Sequence, residues 1–307
     1  MVNAIDNISF TLEKGRPLGF VGESGCGKTT IGMTLMGLLP DNARILGGSI
    51  GFGGRDLTSL TEDQWRSVRG RDIAMIFQAA MNALNPVYRV DDQIKEAIVT
   101  HHPDISDADL TKRLRALFNL VEIPYERCHD YPHEYSGGMK QRVIIAMALA
   151  CSPQLIIADE PTTALDVIVQ DQILKELSAI QAKLHTGLIF ISHDIAVVAS
   201  VCEEICVMYG GQIVETGTKH EVFSKPHHPY TKTLLGSYLS LDNDREIIVP
   251  EMRGTPDLTM ESGCCRFSSN CAVCSSACKS EGPSWIEISP THRALCCDEG
   301  IIRKFHE

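Results

Sequence analysis

The feature that most constrains the fold is a glycine-rich turn, GESGCGKTT, which directly follows the apolar run PLGFV. An apolar run, a glycine-rich turn and the helical pattern IGMTLMGLL predict a strand, a loop and a helix in that order. The turn matches G-x-x-x-x-G-K-[ST], whose glycines let backbone N–H groups surround phosphate oxygens at the start of a helix. The sequence therefore predicts a phosphate-binding loop, with a plain glycine turn and a solvated lysine as the alternative.

Within this loop we expect Lys28 to reach the β and γ phosphates of a nucleotide, ATP, and Thr29 to hold Mg²⁺. The loop backbone supplies the remaining phosphate contacts. The predicted nucleotide-binding residues of the loop are Gly22, Glu23, Ser24, Gly25, Cys26, Gly27, Lys28, Thr29 and Thr30.

An acidic pair follows a second apolar run, QLIIADE. Ligands of parallel sheets bind outside the carboxyl ends of the strands, so Asp159 is expected beside the phosphate loop as a partner of Mg²⁺. Glu160 is suited to orient or deprotonate an attacking water, because phosphoryl transfer depends mainly on positioning and electrostatics. The alternative is that both carboxylates cap the element that begins near Pro161.

The rest of the chain alternates apolar runs with helical patterns, which predicts an α/β fold with a parallel sheet covered on both faces. The sequence EEICVMYGGQIVETG predicts a hairpin that turns at Gly210–Gly211. Beyond about residue 245 periodicity is weak, so we expect one domain over residues 1–240 and a small extension over 241–307. Further strands are predicted at 72–78, 154–159 and 187–192, and helices at 137–150, 166–184 and 194–201.

Composition and charge exclude several classes of protein. The net charge of −11 disfavours a general nucleic-acid binder, since neutralising phosphates needs a basic face. The sequence contains no run of about eighteen apolar residues, so it predicts no membrane span. The N-terminus has no basic segment followed by an apolar one, so we expect a cytoplasmic protein.

The segment YSGGMKQRV resembles the signature motif of ABC-type ATPases. In that family a serine and two glycines at a helix N-terminus bind the γ-phosphate held by the opposite subunit, and the physics fits a positive helix end. The resemblance implies a P-loop ABC-type nucleotide-binding domain with a helical signature subdomain at about 80–150. It assigns nucleotide contacts to Ser136, Gly137, Gly138, Gln141 and Asp166, a switch role to His193, and contacts with Mg²⁺ and water to Gln78.

Longer segments, including MIFQAAMNALNP, EPTTALDV and HHPYTKTLL, resemble the ATP-binding subunits of di- and oligopeptide importers. This implies an ATPase at the cytoplasmic face of the cell membrane, a sister ATPase in a head-to-tail dimer, two permeases and an extracytoplasmic solute-binding protein. Nickel or an oligosaccharide is an alternative solute, and a non-transport ABC protein is an alternative class. Ala79 and Ala80 depart from the family's Asp-Pro, and no residue is assigned to stack on adenine.

Seven of the twelve cysteines lie between residues 264 and 297. Structural zinc sites favour two close pairs, whereas four thiolates separated by wide loops suit an iron–sulfur cluster. The peptide-importer tails that this segment resembles carry a [4Fe–4S] cluster, which implies Cys265, Cys271, Cys278 and Cys296 as its ligands. Zinc, or cysteines that are free or in disulfides, remain alternatives, and Cys264, Cys274 and Cys297 are extra. An iron–sulfur electron carrier is disfavoured, because the tail provides one set of four ligands.

Overall fold

A computed structural model describes residues 2–78, 83–163, 165–239, 254, 256, 258–259, 265–276, 278, 282–297, 300 and 302. The chain divides into two compact units. Unit 1 comprises Met1–Thr11, Pro17–Ile31 and Phe190–Glu307, and unit 2 comprises Leu12–Arg16 and Gly32–Ile189. Ala79 and Ala80, which depart from the peptide-importer pattern, lie outside the described residues, as does Cys264.

The secondary structure alternates between strands and helices, as predicted. The strands are β1 (Pro17–Val21), β2 (Gly51–Phe52), β3 (Arg55–Asp56), β4 (Ile73–Ile76), β5 (Leu155–Asp159), β6 (Gly187–Ser192), β7 (Glu204–Tyr209), β8 (Gln212–Thr218), β9 (Ser284–Glu287) and β10 (Arg293–Cys296). The helices are α1 (Lys28–Leu35), α2 (Glu62–Val68), α3 (Val90–His101), α4 (Asp107–Leu120), α5 (Gly137–Ala148), α6 (Val167–Leu184), α7 (Ile195–Val201), α8 (Lys219–Ser224) and α9 (Pro229–Leu239).

Unit 2 contains the strand order β4-β5-β6. Strands β4 and β5 are parallel, with Ile73 opposite Leu155 and Ile76 opposite Ala158. All five residues of β5 are buried, which explains its unbroken apolar run, since a strand covered on both faces needs no polar alternation. The parallel pairing and the buried character of β5 agree with the sequence prediction. Strands β2 and β3, which form a separate two-stranded sheet, were not predicted.

Unit 1 contains the order β6-β1-β7-β8-β10-β9, and β6 runs along the chain from one unit into the other. Strands β1 and β7 are parallel, whereas β7 and β8 form the predicted antiparallel hairpin. The tail then adds β10, which pairs antiparallel with β8, and β9 beyond it. These tail strands were not predicted, because each has only four residues and they are held by pairing of β10 with β8 and of β9 with β10.

Several helices begin at a residue whose side chain caps the first turn. The Ser136 side chain caps α5, and that of Ser106 caps α4. Helix α1 starts at Lys28, inside the glycine-rich turn and earlier than the apolar pattern suggests. In the part of the chain that the structure describes, no helix is long and apolar enough to cross a membrane.

A buried carboxylate organises unit 1. Glu215 on β8 is 0% exposed, and it accepts hydrogen bonds from the backbone N–H groups of His227 and His228, at 2.8 and 2.9 Å. Its Oε1 also lies 2.7 Å from Nε2 of His292, which precedes β10. Burial opposes ionisation of Glu215, but the hydrogen bonds outweigh it and hold the pKa of this carboxyl below its ordinary value. One carboxylate therefore ties β8, the start of α9 and the tail together.

His228 makes the stability of this region depend on pH. Burial lowers the pKa of His228 to about 4, and its Nδ1 accepts a hydrogen bond from the backbone N–H of Tyr230 at 3.1 Å. The neutral ring therefore stabilises the fold above its ordinary pKa of 6.5, and this contribution is lost as the pH falls through that value towards 4. We expect about 3 kcal/mol of unfolding free energy to be lost over this window through His228.

Urea unfolding between pH 7 and pH 4 measures this loss. His228→Asn removes the titrating ring and keeps a side-chain acceptor for Tyr230, so it should flatten the pH dependence. His220→Asn changes an exposed histidine on α8 and serves as the control. Equal slopes in the wild type and His228→Asn would contradict the role of His228.

Candidate nucleotide-binding elements

The glycine-rich turn of unit 1 connects β1 directly to α1, as predicted. Lys28 lies at the first position of α1, and its side chain folds back over the loop. Its Nζ donates to the carbonyl oxygens of Gly22 and Glu23 at 2.7 and 2.8 Å, and lies 3.6 Å from Sγ of Cys26. The ammonium group is therefore held inside the turn, where it adds to the positive potential of the helix N-terminus.

The glycines of the turn are required by its geometry. Gly25 and Gly27 have φ angles of 81° and 104°, in the left-handed region. A Cβ on Gly27 would lie 2.7 Å from the backbone oxygen of Ala4, whereas a Cβ on Gly25 would meet nothing within 4 Å. The backbone at Gly27 thus combines an unusual conformation with a close approach that only glycine permits.

Other residues of the turn differ in exposure. Glu23, Ser24, Gly25 and Thr29 are exposed, whereas Cys26 is buried and Thr30 is half-buried. Burial raises the pKa of the Cys26 thiol even though Lys28 lowers it, so Cys26 is a neutral packing residue. Burial likewise raises the pKa of Glu23, and Lys28 partly offsets this rise.

In unit 2 the acidic pair lies at the carboxyl end of β5. Asp159 is buried at the last position of the strand. Glu160 follows with a φ of 47°, an uncommon conformation for a residue with a side chain. Oε2 of Glu160 accepts hydrogen bonds from Nε2 of Gln78 at 2.9 Å and from Oγ1 of Thr163 at 3.0 Å. The structure therefore joins two predicted residues, Gln78 and Glu160, and adds Thr163, which the sequence analysis missed although it lies in EPTT.

The predicted signature segment forms the N-terminus of α5. Oγ of Ser136 accepts a hydrogen bond from the backbone N–H of Met139 at 3.3 Å, and Gly137 and Gly138 form the first turn. Gln141, one turn further on, is buried, and its Nε2 has no hydrogen-bond partner among the described residues. The helix thus has glycines in its first turn, where N–H groups lack intrahelical partners.

Asp166 and His193 both precede helices. Asp166 caps α6 by accepting from the N–H of Val169 at 3.0 Å. Asp194 caps α7 through the N–H groups of Ala196 and Val197, so capping does not fall to His193. His193 is exposed immediately after β6.

A group with metal-ligand chemistry outside the predicted set lies at the start of α3. Ligand-type atoms of Asp91, Cys128 and His129 lie within 4.8 Å of one another. However, Nζ of Lys95 is 2.6 Å from Oδ2 of Asp91, and this ammonium already neutralises the carboxylate. We therefore interpret the group as an ion pair that holds α3, not as a cation site.

Five of the tail cysteines gather in one place in unit 1, and the predicted ligand Cys271 is not among those five. Cys278 and Cys296 are buried with Ala294 and Ile302, and further thiols pack against them, those of Cys265, Cys274 and Cys297. Burial raises the pKa values of Cys265 and Cys271 to about 11. The eleven cysteines among the described residues form no disulfide with one another.

Comparison with known proteins identifies the family. The ABC transporter model matches residues 5–163, and the model of the oligopeptide/dipeptide transporter C-terminal region matches residues 214–278. The chain belongs to the ABC transporter ATP-binding proteins. As an ABC ATPase it is 45% identical to the dipeptide transport ATP-binding protein DppD of Lactococcus lactis, over 95% of this chain and 84% of that protein.

Other relatives support the same assignment. DppD of Bacillus subtilis is 43% identical over 96% of this ABC ATPase and 89% of the relative. The oligopeptide transport ATP-binding protein OppD of Escherichia coli is 41% identical over 96% of this chain and 87% of the relative.

Solved structures show the same fold. The dimeric bacterial ABC cassette MJ0796 has a TM-score of 0.61 at 24% identity, and the match covers 70% of this chain and 90% of that one. The ABC protein cbiO1 of Clostridium perfringens has a TM-score of 0.64 at 25% identity, and the match covers 78% of this chain and 88% of that one.

The glycine geometry gives a prediction for this ABC ATPase. Gly27→Ala adds a backbone clash to a left-handed φ, whereas Gly25→Ala adds only the strain of that φ. We expect Gly25→Ala to cost about 1–2 kcal/mol of stability and Gly27→Ala clearly more, with a displaced loop. Thermal and urea unfolding measure both. Equal losses would show that the approach of Ala4 does not constrain the loop.

Proposed function

We propose that this ABC ATPase is the ATP-hydrolysing subunit of an importer for di- or oligopeptides. The observation that carries the proposal is identity of 41–45% over at least 95% of the chain to proteins named for dipeptide or oligopeptide transport. The C-terminal match to the oligopeptide/dipeptide transporter region points the same way. These similarities favour peptides over nickel or an oligosaccharide as the solute. They also favour a transporter over an ABC protein of DNA repair or translation as the class of protein.

In this function the glycine-rich turn binds the phosphates of ATP. Backbone N–H groups between Gly22 and Thr30 surround the phosphate oxygens, and Lys28 exchanges its contacts with Gly22 and Glu23 for contacts with the β and γ phosphates. The exchange is electrostatically favourable, because a phosphate oxygen carries more negative charge than a carbonyl oxygen. Exposed Ser24 and Gly25 are accessible to a nucleotide.

Three residues fit Mg²⁺ by the chemistry of their donors. Thr29 offers a hydroxyl, Gln78 an amide oxygen and Asp159 a carboxylate, and Mg²⁺ prefers such oxygen ligands. Gln78 donates through its amide nitrogen to Glu160, and its amide oxygen is the atom that would contact the ion. When bound, the ion would neutralise charge on the phosphates of ATP.

Glu160 is proposed to activate the attacking water. Its carboxylate accepts hydrogen bonds from Gln78 and Thr163, which restrict its side chain to one orientation. A carboxylate oriented in this way can accept a proton from water or align the water for attack. Gln78 then positions both the carboxylate and the water, and His193 contacts the γ-phosphate.

A composite site with a sister ATPase is proposed for the signature residues. Ser136, Gly137, Gly138 and Gln141 would face the γ-phosphate held by the partner, and Asp166 would lie at the interface. Val167 and Ile168, which follow Asp166 at the start of α6, are each 81% exposed. Neighbouring apolar side chains at such exposure favour coverage by another subunit.

The permease contact is proposed for the segment that follows Gln78. Val87 and Tyr88 are 72% and 58% exposed, and Asn85 holds the turn before α3 through Gln93. An exposed apolar pair on an ordered turn suits a helix of a membrane subunit. The complex would comprise two permeases, the sister ATPase and an extracytoplasmic solute-binding protein, with this chain at the cytoplasmic face of the membrane. No nucleic-acid partner is proposed.

Glu160→Gln tests the hydrolytic role in the assembled complex. The amide keeps an acceptor oxygen for Gln78 but cannot take a proton, so we expect MgATP binding to persist and turnover to fall roughly a hundredfold or more. Glu126→Gln, in the short helical turn after α4, is the control. Unchanged ATP hydrolysis by Glu160→Gln would overturn the assignment.

The same wild-type complex identifies the solute. Its ATPase activity should rise when the solute-binding protein is loaded with di- or oligopeptides. Stimulation by nickel or an oligosaccharide alone would replace peptides with that solute, while leaving the ATPase role intact.

We further propose that the tail holds a [4Fe–4S] cluster through Cys265, Cys271, Cys278 and Cys296. Three of the four proposed ligands, Cys265, Cys278 and Cys296, pack at one apolar centre, which supports the proposal because such clusters are held by cysteine thiolates. Zinc is the alternative occupant. The extra thiol of Cys297 packs against the same apolar centre as these ligands. When bound, a cluster would cross-link the tail.

Anaerobic purification of the full chain tests the cluster. About four iron and four sulfide per chain are expected, together with visible absorption. Cys271→Ser should lower both, whereas Cys151→Ser, a buried cysteine in unit 2, should lower neither. Stoichiometric zinc without sulfide would replace the cluster by a zinc site.

A further inference from the structure

The segment HHPY, which has no evident mechanism in the sequence, reaches the phosphate loop. The hydroxyl of Tyr230 accepts a hydrogen bond from the backbone N–H of Glu23, at a distance of 3.0 Å. Tyr230 is the second residue of α9 and is 1% exposed, and Glu23 is the second residue of the loop. A side chain 207 positions further along the chain thus holds a backbone group of the loop.

The ring of Tyr230 has little freedom to move. It packs against Tyr209 at 4.7 Å and Phe267 at 5.7 Å between ring centroids, and all three rings are buried. The hydroxyl of Tyr209 accepts instead from Nδ2 of Asn270, in the tail, at 3.0 Å. Two buried tyrosines therefore share one aromatic cluster, but only Tyr230 contacts the phosphate loop through its hydroxyl.

The start of α9 is fixed independently of the aromatic cluster. Both oxygens of Glu215 accept backbone N–H groups at His227 and His228, immediately before the helix. Nδ1 of His228 accepts the N–H of Tyr230 itself. The backbone that carries Tyr230 is therefore anchored to β8, so the position of its hydroxyl is set by groups other than the loop.

A second support reaches the loop from the β7–β8 turn. The N–H of Gly211 donates to the carbonyl oxygen of Cys26 at 2.9 Å. The buried guanidinium of Arg266 donates to Gly210 in the same turn, and to Asn3 and Asp6 at 3.2 Å each. Arg266, the residue after Cys265, therefore stabilises the Gly210–Gly211 turn, which contacts the phosphate loop at Cys26.

From these contacts we infer that Tyr230 is a positioning residue for nucleotide binding, and that the C-terminal region braces the phosphate loop. The inference rests on the proposed function of Gly22–Thr30 in binding ATP. A loop that binds anions through N–H groups loses conformational entropy when it orders around them. Fixing Glu23 and Cys26 beforehand lowers that cost, so nucleotide affinity depends on Tyr230 and Arg266.

Tyr230→Phe in the full chain is the direct test. It keeps the ring and removes only the acceptor of the Glu23 N–H, so the dissociation constant for MgATP should rise roughly three- to tenfold. In the assembled complex KM for ATP should rise while kcat stays unchanged, since the variant weakens binding and not the chemical step. Tyr209→Phe is the matched control: it removes a buried hydroxyl from the same cluster and should leave MgATP affinity unchanged.

The other outcomes separate the inference from the proposed function. Unchanged affinity in Tyr230→Phe, or equal weakening in Tyr209→Phe, would overturn the inference. Lys28→Ala must weaken MgATP binding, and failure there would overturn the phosphate-loop assignment itself.

If Tyr230→Phe unfolds below the assay temperature, Arg266→Lys takes its place. Lysine cannot donate to Gly210, Asn3 and Asp6 with the geometry of a guanidinium, so affinity should fall there too, and an unchanged value would overturn the brace.

Discussion

Unit 1 depends on a buried negative charge. Glu215 lies inside the sheet on β8, where an unpaired carboxylate would be strongly destabilising. Its oxygens are satisfied by the N–H groups at the start of α9 and by His292 from the tail. Segments far apart in the sequence must therefore assemble together, because removing one partner leaves the charge uncompensated. The same interaction that joins the tail to the sheet also orients α9.

The orientation of α9 matters because its second residue contacts the phosphate loop. The hydroxyl of Tyr230 accepts a hydrogen bond from the N–H of Glu23. Arg266 donates to Gly210, and the neighbouring Gly211 donates to the carbonyl oxygen of Cys26. Both supports belong to the part of the chain that matches the peptide-transporter C-terminal region or lies within the hairpin beside it. In this ABC ATPase the C-terminal region therefore supports the loop, and Arg266, which lies within the cysteine-rich tail directly after Cys265, is part of that support.

Much of the fold follows from local sequence signals. The apolar runs of β1, β5 and β6 predict their strands, and Ser136 marks the start of α5. The glycine pattern predicts the loop, and the structure shows why Gly27 cannot carry a side chain. Strands β9 and β10 were not predicted because four residues carry too little periodicity, and the strands are held by pairing of β10 with β8 and of β9 with β10. Strands β2 and β3 have two residues each, which is too short for a periodic pattern.

The sequence by itself determined the residue types that can bind phosphate and the family to which the chain belongs. These depend on local spacing: glycines beside a lysine, or acids that end an apolar run. Only the tertiary structure decided which distant groups touch them. The hydrogen bonds of Gln78 to Glu160 and of Glu23 to Tyr230 join residues 82 and 207 positions apart. Hydrogen bonds act over about 3 Å, so such pairs exist only after the sheet brings their strands and helices together.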